Sequence, residues 1–503
     1  MTSQKKIIVI GAGMGGLAVA ARLAKAGNHV EIFEASSQTG GKCRTEWIGD
    51  YAFDTGPSLL TLPAVYRDLF IKTGKRIEHI LKLNPVDPAF DYHFSDGARL
   101  TFANLSIAKI CEEIDRTLGK KAGDEWHHLM QRAERMWDVS RGPFLESEMP
   151  SILSLLRGKG ALANLRTIAP LTSLRRYTAK CSTDKHLAQI IDRYATYTGS
   201  DPRKVPAVLL TIAFMESTFG AWHIEGGIGQ LAVALEERVR DLGVTIHLNT
   251  EISEITHNKV AATGVTTTAG RHFPADIVVA NADAELVYHS LLPKDLAVTK
   301  PERKKLKRAD KSLAGFSLLL GLDNTKIDGQ IPRLNHHNVY FPENYDQEFD
   351  DIFAKKIPVS DPTIYICAPI DPTMVRGENK EAWFVLVNAP RHEPGSGYDW
   401  SSGAEDYAKK IIQKLDLLGL RVSERLDLME IRTPLDLQNL VMAPGGSIYG
   451  TSSNSARSAF LRAANRSPLK NLYCVGGSAH PGGGLPLVGM SAELVSEAIA
   501  SGK

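Results

Sequence analysis

The sequence predicts an α/β protein, and three observations carry that prediction. A strand-like run, Ile7 to Ile10, leads directly into the turn Gly11-Ala12-Gly13-Met14-Gly15-Gly16 and then into small and apolar residues at helical spacing as far as Gly27. A second strand follows and ends on Glu34, eighteen residues beyond Gly16. Near the C-terminus a strand again meets glycines, Asn471 to Gly477, ahead of a last helix. The physics of the opening is specific: Gly11 allows the tight turn, Gly13 lets the backbone approach a pyrophosphate, and Gly16 lets helix pack on strand. The helix N-terminus then faces the phosphates, while a carboxylate at this spacing accepts from a ribose 2′-hydroxyl. These residues specify a Rossmann-type dinucleotide domain and leave NAD and FAD equally open.

Bulk properties set the outer bounds. A chain of 503 residues is long for one compact unit, so more than one lobe is expected, and 43% hydrophobic residues supply a large core. With 59 basic and 57 acidic side chains the formal charge is +2, which gives no footprint for nucleic acid. Five scattered cysteines without a CxxC pair point to a reducing, cytoplasmic environment. The residues before the first strand are too few for a signal peptide, and no run of about 18 apolar residues occurs, so attachment to a membrane would be peripheral.

In chain order, Gly40-Gly41-Lys42-Cys43-Arg44 brings a second glycine pair close to the expected ligand, with Lys42 or Arg44 available to balance phosphate charge. A short strand, Tyr51 to Asp54, runs into the turn Gly56-Pro57-Ser58, followed by a helix over Pro63 to Thr73 and short strands around Ser95-Asp96-Gly97. These elements form the first part of the dinucleotide domain, 1–105. A helical lobe occupies 106–219. Residues 220–290 read as a second part of the dinucleotide domain, with a helix over Gln230 to Leu242, strands to Ile255, a hairpin over Val260 to Arg271 and a buried strand, Asp276 to Asn281. Strands at Leu313 to Leu322, Thr363 to Ala368 and Trp383 to Ala389 predict a mixed-sheet domain over 291–436, able to floor a ligand cavity, and 437–503 completes the dinucleotide domain.

Between Pro150 and Thr183 there is no acidic residue, while Arg157, Lys159, Arg166, Arg175, Arg176 and Lys180 interleave with leucines and isoleucines. That pattern suits an in-plane helix at a membrane surface, leucines in the acyl boundary and cations on anionic headgroups. A helix packed on the core with its cations in water has the same pattern.

The motifs GAGMGGL with Glu34, GGK at 40–42, FDTGPS at 53–58, GAWHIEGGIGQL at 220–231, HHN at 336–338, TPLD at 433–436 and NLYCVGGSAHPGGGLPLVGMS at 471–491 together resemble bacterial-type phytoene desaturases and related carotenoid oxidoreductases of the amine-oxidase-like flavoproteins. The resemblance runs from end to end. It implies FAD, a lipophilic carotenoid substrate, and an enzyme peripherally bound to the inner face of the cell membrane that passes electrons to oxygen or a quinone. It implies further that Gly11, Gly13, Met14, Gly15 and Gly16 hold the pyrophosphate and Glu34 the adenosine ribose. Gly41 and Lys42 match the positions near the phosphates, Gly56, Pro57 and Ser58 the stretch beside the isoalloxazine, and Ile252 the backbone contact to adenine. Gly476, Gly477, Pro486, Leu487 and Val488 match the approach to the ribityl chain and pyrimidine end. Where the phytoene-desaturating pattern looks like VGAGTHPGAGIPGV, this chain has VGGSAHPGGGLPLV, closer to relatives acting on later, modified or shorter carotenoids.

The implied reaction is desaturation, removal of two hydrogens from the polyene with hydride passing to flavin N5. Saturation, isomerisation or oxygenation of an isoprenoid, and a non-catalytic FAD-binding carrier, are the alternatives. No motif names a catalytic side chain. His480 is the sequence candidate for a polar group by the flavin, although a histidine in a glycine loop also reads as fixing that loop; His336 and His337 read as orienting a strand or lining a pocket rather than binding a metal, since no HExxH accompanies them, and Asp192 with Arg193 as polar groups of the helical lobe or, more simply, a surface ion pair.

Overall fold

The computed structural model describes residues 4–149, 160–395 and 398–502; the first ten residues of the basic apolar segment, 150–159, lie outside them. Five parallel strands form the central sheet in the spatial order Leu472–Cys474, Ile277–Ala280, Lys6–Ile10, His29–Phe33, Thr245–His247. Strands from three distant parts of the chain thus lie side by side. Both faces are covered, which is why Ile7-Ile8-Val9-Ile10 and Ile277-Val278-Val279-Ala280 are continuously apolar rather than alternating. Ile7 and Val9 pack with helices Met14–Lys25, Ala64–Thr73, Gln230–Asp241 and Leu485–Ser501. On the other face, Ile8 and Ile10 pack with a three-stranded antiparallel sheet, Ile252–His257, Ala262–Thr267 and His272–Pro274. The stretch expected as a hairpin over Val260 to Arg271 is therefore the middle strand of that sheet and the turn after it.

A seven-stranded sheet runs Leu426–Arg432, Ala314–Asp323, Lys380–Ala389, Ile364–Cys367, His337–Tyr340, Phe90–His93, Arg99–Phe102. It is mixed, since His337–Tyr340 and Phe90–His93 pair in parallel and the other neighbours antiparallel. Phe90–His93 and Arg99–Phe102 fall within 1–105 yet join this sheet rather than the dinucleotide sheet. Their aromatic faces explain it: Phe90, Tyr92 and Phe102 share one core with Trp126, Leu129 and Met136 of the 26-residue helix Lys120–Leu145 and with Leu187, Ile190 and Ile191 of helix Lys185–Arg193. The helical lobe is built against one end of the mixed sheet.

Of the basic segment, the described part folds as two eight-residue helices, Ala161–Ile168 and Leu174–Cys181. Leu162 is 77% and Leu171 93% exposed, and Arg166, Arg176 and Lys180 are exposed as well. Arg175 instead turns inward to Asp192 and Asp346. No described helix is long and apolar enough to cross a membrane.

Candidate active site

The glycine turn is held by the strands around it. Gly11 sits at φ +91° and donates its N–H to Phe33 O at 2.7 Å, so the tight turn is tied to the neighbouring strand. A Cβ on Gly16 would collide with the Gly11 carbonyl, which is the close helix-to-turn packing that the motif requires. Met14 begins the helix, 6% exposed, and no side chain caps the amides of its first turn. Gly40 bridges to Gly13, and a Cβ on Gly41 would lie 3.2 Å from Gly13 Cα, which brings the second glycine pair onto the first.

Asn281, read from sequence only as the end of a buried strand, turns out to be the joint of the site. Its N–H donates to Ile10 O at 2.8 Å and its Nδ2 to Val475 O at 3.0 Å. A Cβ at Gly13 or Gly15 would stand 2.8 or 2.7 Å from its side-chain amide, and one at Gly476, where φ is +105°, would collide with it. The glycines are thus fitted around one asparagine, and the two chain ends meet there.

At the outer end of this cradle the Glu34 carboxylate accepts from Ala12 N at 2.7 Å and from Ser36 N and Oγ at 2.9 and 2.8 Å. Arg44 lies against it, 7% exposed, donating to Ser36 Oγ at 3.2 Å, with Nε buried and without a partner. Burial pulls the guanidinium's pKa down, opposed by Glu34 and Glu46. Ile252 opens the first strand of the three-stranded sheet and shares a core with Phe33.

Lys42 takes another course. Its ammonium donates to the carbonyls of Ser447 and Ile448 at 3.1 and 2.7 Å, and burial depresses its pKa to about 8, with Asp283 opposing. Its own carbonyl closes over Gly56, where a Cβ would collide with it. Arg462, 6% exposed, donates to Gly477 O at 2.6 Å, Tyr449 O at 3.2 Å and Thr451 O at 2.9 Å, and its pKa falls to about 10. These contacts lash the 447–451 loop to Gly477. Pro486, Leu487 and Val488 form the first turn of the last helix, with Val488 N donating to Gly484 O at 3.0 Å. His480 is buried, its Nε2 3.0 Å from Ser147 O, and ties this loop to the helical lobe.

Beyond Ser58 lies a second buried polar group. Ser58 Oγ is 2.9 Å from Tyr365 OH, and Tyr365 OH is 2.8 Å from His337 Nδ1. His223 Nε2 is 2.8 Å from Asp371 Oδ2, and its ring lies 4.8 Å from that of His336. Asp54 accepts from Ile228 N at 2.9 Å and Thr45 Oγ1 at 2.6 Å, and burial raises its pKa to about 6. Arg193 does not pair with Asp192. Neighbours on a helix point about 100° apart; Asp192 turns to Arg175, with burial raising it to about 7, while Arg193 sits 4.5 Å over Phe90 and donates to Tyr92 OH and Tyr197 OH at 3.2 and 2.8 Å. Tyr194 and Tyr197 donate to the buried Glu216. The expected surface ion pair is therefore two separate buried contacts.

Whether FAD fits can be judged on these residues. The turn offers first-turn amides without a side-chain cap and an orphaned buried guanidinium N–H of Arg44 beside Glu34, donors that an anionic dinucleotide satisfies, while the glycines let the turn close tightly onto Asn281. The sequence profile of flavin containing amine oxidoreductases matches residues 14–312. A 4,4'-diapolycopene oxygenase of Methylomonas is 31% identical over 99% of this chain and 98% of its own length. A 1-hydroxycarotenoid 3,4-desaturase of Flavobacterium is 32% identical over 98% and 99%, and a zeta-carotene-forming phytoene desaturase of Myxococcus xanthus 32% over 99% and 94%. Among solved structures a putrescine oxidase superposes with a TM-score of 0.65 over 99% of each chain at 14% identity, a likeness of fold alone. The chain belongs to the flavin-containing amine oxidoreductase family, in its carotenoid desaturase branch, with FAD as its cofactor.

Proposed function

We propose that this protein is an FAD-dependent desaturase of an acyclic carotenoid. The observation that carries the reading is full-length similarity to carotenoid desaturases combined with a dinucleotide cradle closed by both chain ends. FAD, when bound, supplies a hydride acceptor. The chain's own residues bind, orient and exclude water. Gly11, Gly13, Met14, Gly15 and Gly16 take the diphosphate, Glu34 with Arg44 the adenosine end, and Ile252 the adenine. Gly476, Gly477, Pro486, Leu487 and Val488 take the far end, with the turn Gly56-Pro57-Ser58 beside the ring. Gly41 supports the cradle through Gly13, while Lys42 holds the 447–448 carbonyls. The aromatic core of the helical lobe and mixed sheet gives a water-poor wall for a polyene.

The exposed Leu162 and Leu171, flanked by Arg166, Arg176 and Lys180, support docking on an anionic membrane surface, where such a substrate dissolves. Oxygen or a quinone then takes the electrons. Co-expression with enzymes that supply acyclic carotenes tests the reading: pigments two hydrogens lighter per step, with longer chromophores, are expected. Unchanged pigments, or pigments that only gain oxygen, would contradict it.

A further inference from the structure

His337 is the cross-strand partner of Cys367 in the antiparallel pair of His337–Tyr340 with Ile364–Cys367, and His336 precedes it. One ligating atom from each of the three side chains lies within 4.8 Å of the other two. All three are buried, at 8%, 0% and 1% exposure for His336, His337 and Cys367. The register creates this cluster; in sequence the cysteine stands thirty residues away and shares no motif with the histidine pair.

Two observations set it apart from ordinary core. His337 Nε2 is buried with no hydrogen-bond partner, a costly condition unless something else satisfies the atom. The other nitrogen of that ring already has an oriented neighbour, Tyr365 OH, itself held by Ser58. This is the kind of outer support that fixes a metal-bound imidazole.

We propose that His336, His337 and Cys367 bind one late transition ion of the zinc class. The donors are one sulfur and two imidazole nitrogens with no carboxylate, a set that suits zinc and excludes magnesium or calcium. Bonds of about 2.0–2.3 Å bring tetrahedral ligands about 3.3–3.7 Å apart, so side-chain rotations of roughly an ångström close the cluster. The Cys367 thiol gives its proton to solvent as the sulfur–metal bond forms.

The test uses tag-free, FAD-loaded full-length protein, dialysed against chelator and titrated with cobalt(II), then zinc. About one equivalent of cobalt should bind with a thiolate-to-cobalt absorption in the near ultraviolet, displaced by zinc. Cys367→Ser should abolish that band and His336→Asn weaken binding about tenfold or more, both with normal FAD content, while Cys181→Ser leaves it unchanged. Absence of stoichiometric binding in the FAD-loaded wild type, or persistence of the band in Cys367→Ser, would overturn the assignment. If Cys367→Ser loses FAD through misfolding, His336→Asn decides: full affinity there refutes the site.

Discussion

At the residue scale, the site is governed by side chains that are absent. Gly16→Ala drives a methyl group into the Gly11 carbonyl, backbone against backbone, so it should lower stability by about 1–3 kcal/mol and sharply reduce bound FAD. Absorbance of the purified variant and its thermal midpoint check both. Asp54 offers a pH test. Its carboxyl sits at about 6 in the folded chain against 3.8 in an unfolded one, so folding takes up a proton, and stability is lost as pH rises through that window. Asp54→Asn removes the cost while keeping an oxygen for Thr45 and Ile228. Its stability relative to wild type should therefore improve by about 2–3 kcal/mol between about pH 4 and pH 7 in denaturant titrations, with no such trend contradicting the burial argument. The glycines were legible because their function is local. Asn281 was not, because an asparagine ending a strand reads as a turn residue, and its role appears only when Ile10, Val475 and the glycines surround it. Likewise sequence offered Lys42 or Arg44 as the phosphate cation, and only the fold sends Lys42 to the 447–448 carbonyls and leaves Arg44 beside Glu34.

At the element scale, the basic helices separate two kinds of arginine that sequence shows as one pattern. Arg166 and Arg176 face solvent, as do Leu162 and Leu171 on the same segment, whereas Arg175 is an internal partner of Asp192 and Asp346. Arg166→Glu combined with Arg176→Glu should weaken sedimentation with anionic vesicles severalfold at low salt and leave FAD content intact. Arg175→Glu should instead destabilise the lobe, by about 3–5 kcal/mol, because it leaves the buried Asp192 facing a like charge. Equal vesicle binding by the double variant would contradict membrane docking. Sequence offered the segment as a single in-plane helix, whereas its described part is two eight-residue helices. The strands Phe90–His93 and Arg99–Phe102 were readable as strands but not as members of the mixed sheet, because sheet membership is decided by the aromatic core they enter, far along the chain.

At the scale of the whole molecule, one sheet gathers strands from residues 6 to 474, and both chain ends converge on a single asparagine. The opening and closing motifs were legible separately, and their resemblance to carotenoid desaturases joined them; the buried polar group of Ser58, Tyr365 and His337 had no counterpart in sequence, since it depends on strand register. The central claim is that this cradle serves removal of two hydrogens from an acyclic carotenoid. The most direct test is anaerobic mixing of the FAD-loaded protein with acyclic carotenes in lipid, following the flavin absorbance and the mass of the carotenoid. The account predicts bleaching of the flavin in step with a product two mass units lighter, and a flavin that stays oxidised beside every acyclic carotene, in protein shown to bind them, would contradict it.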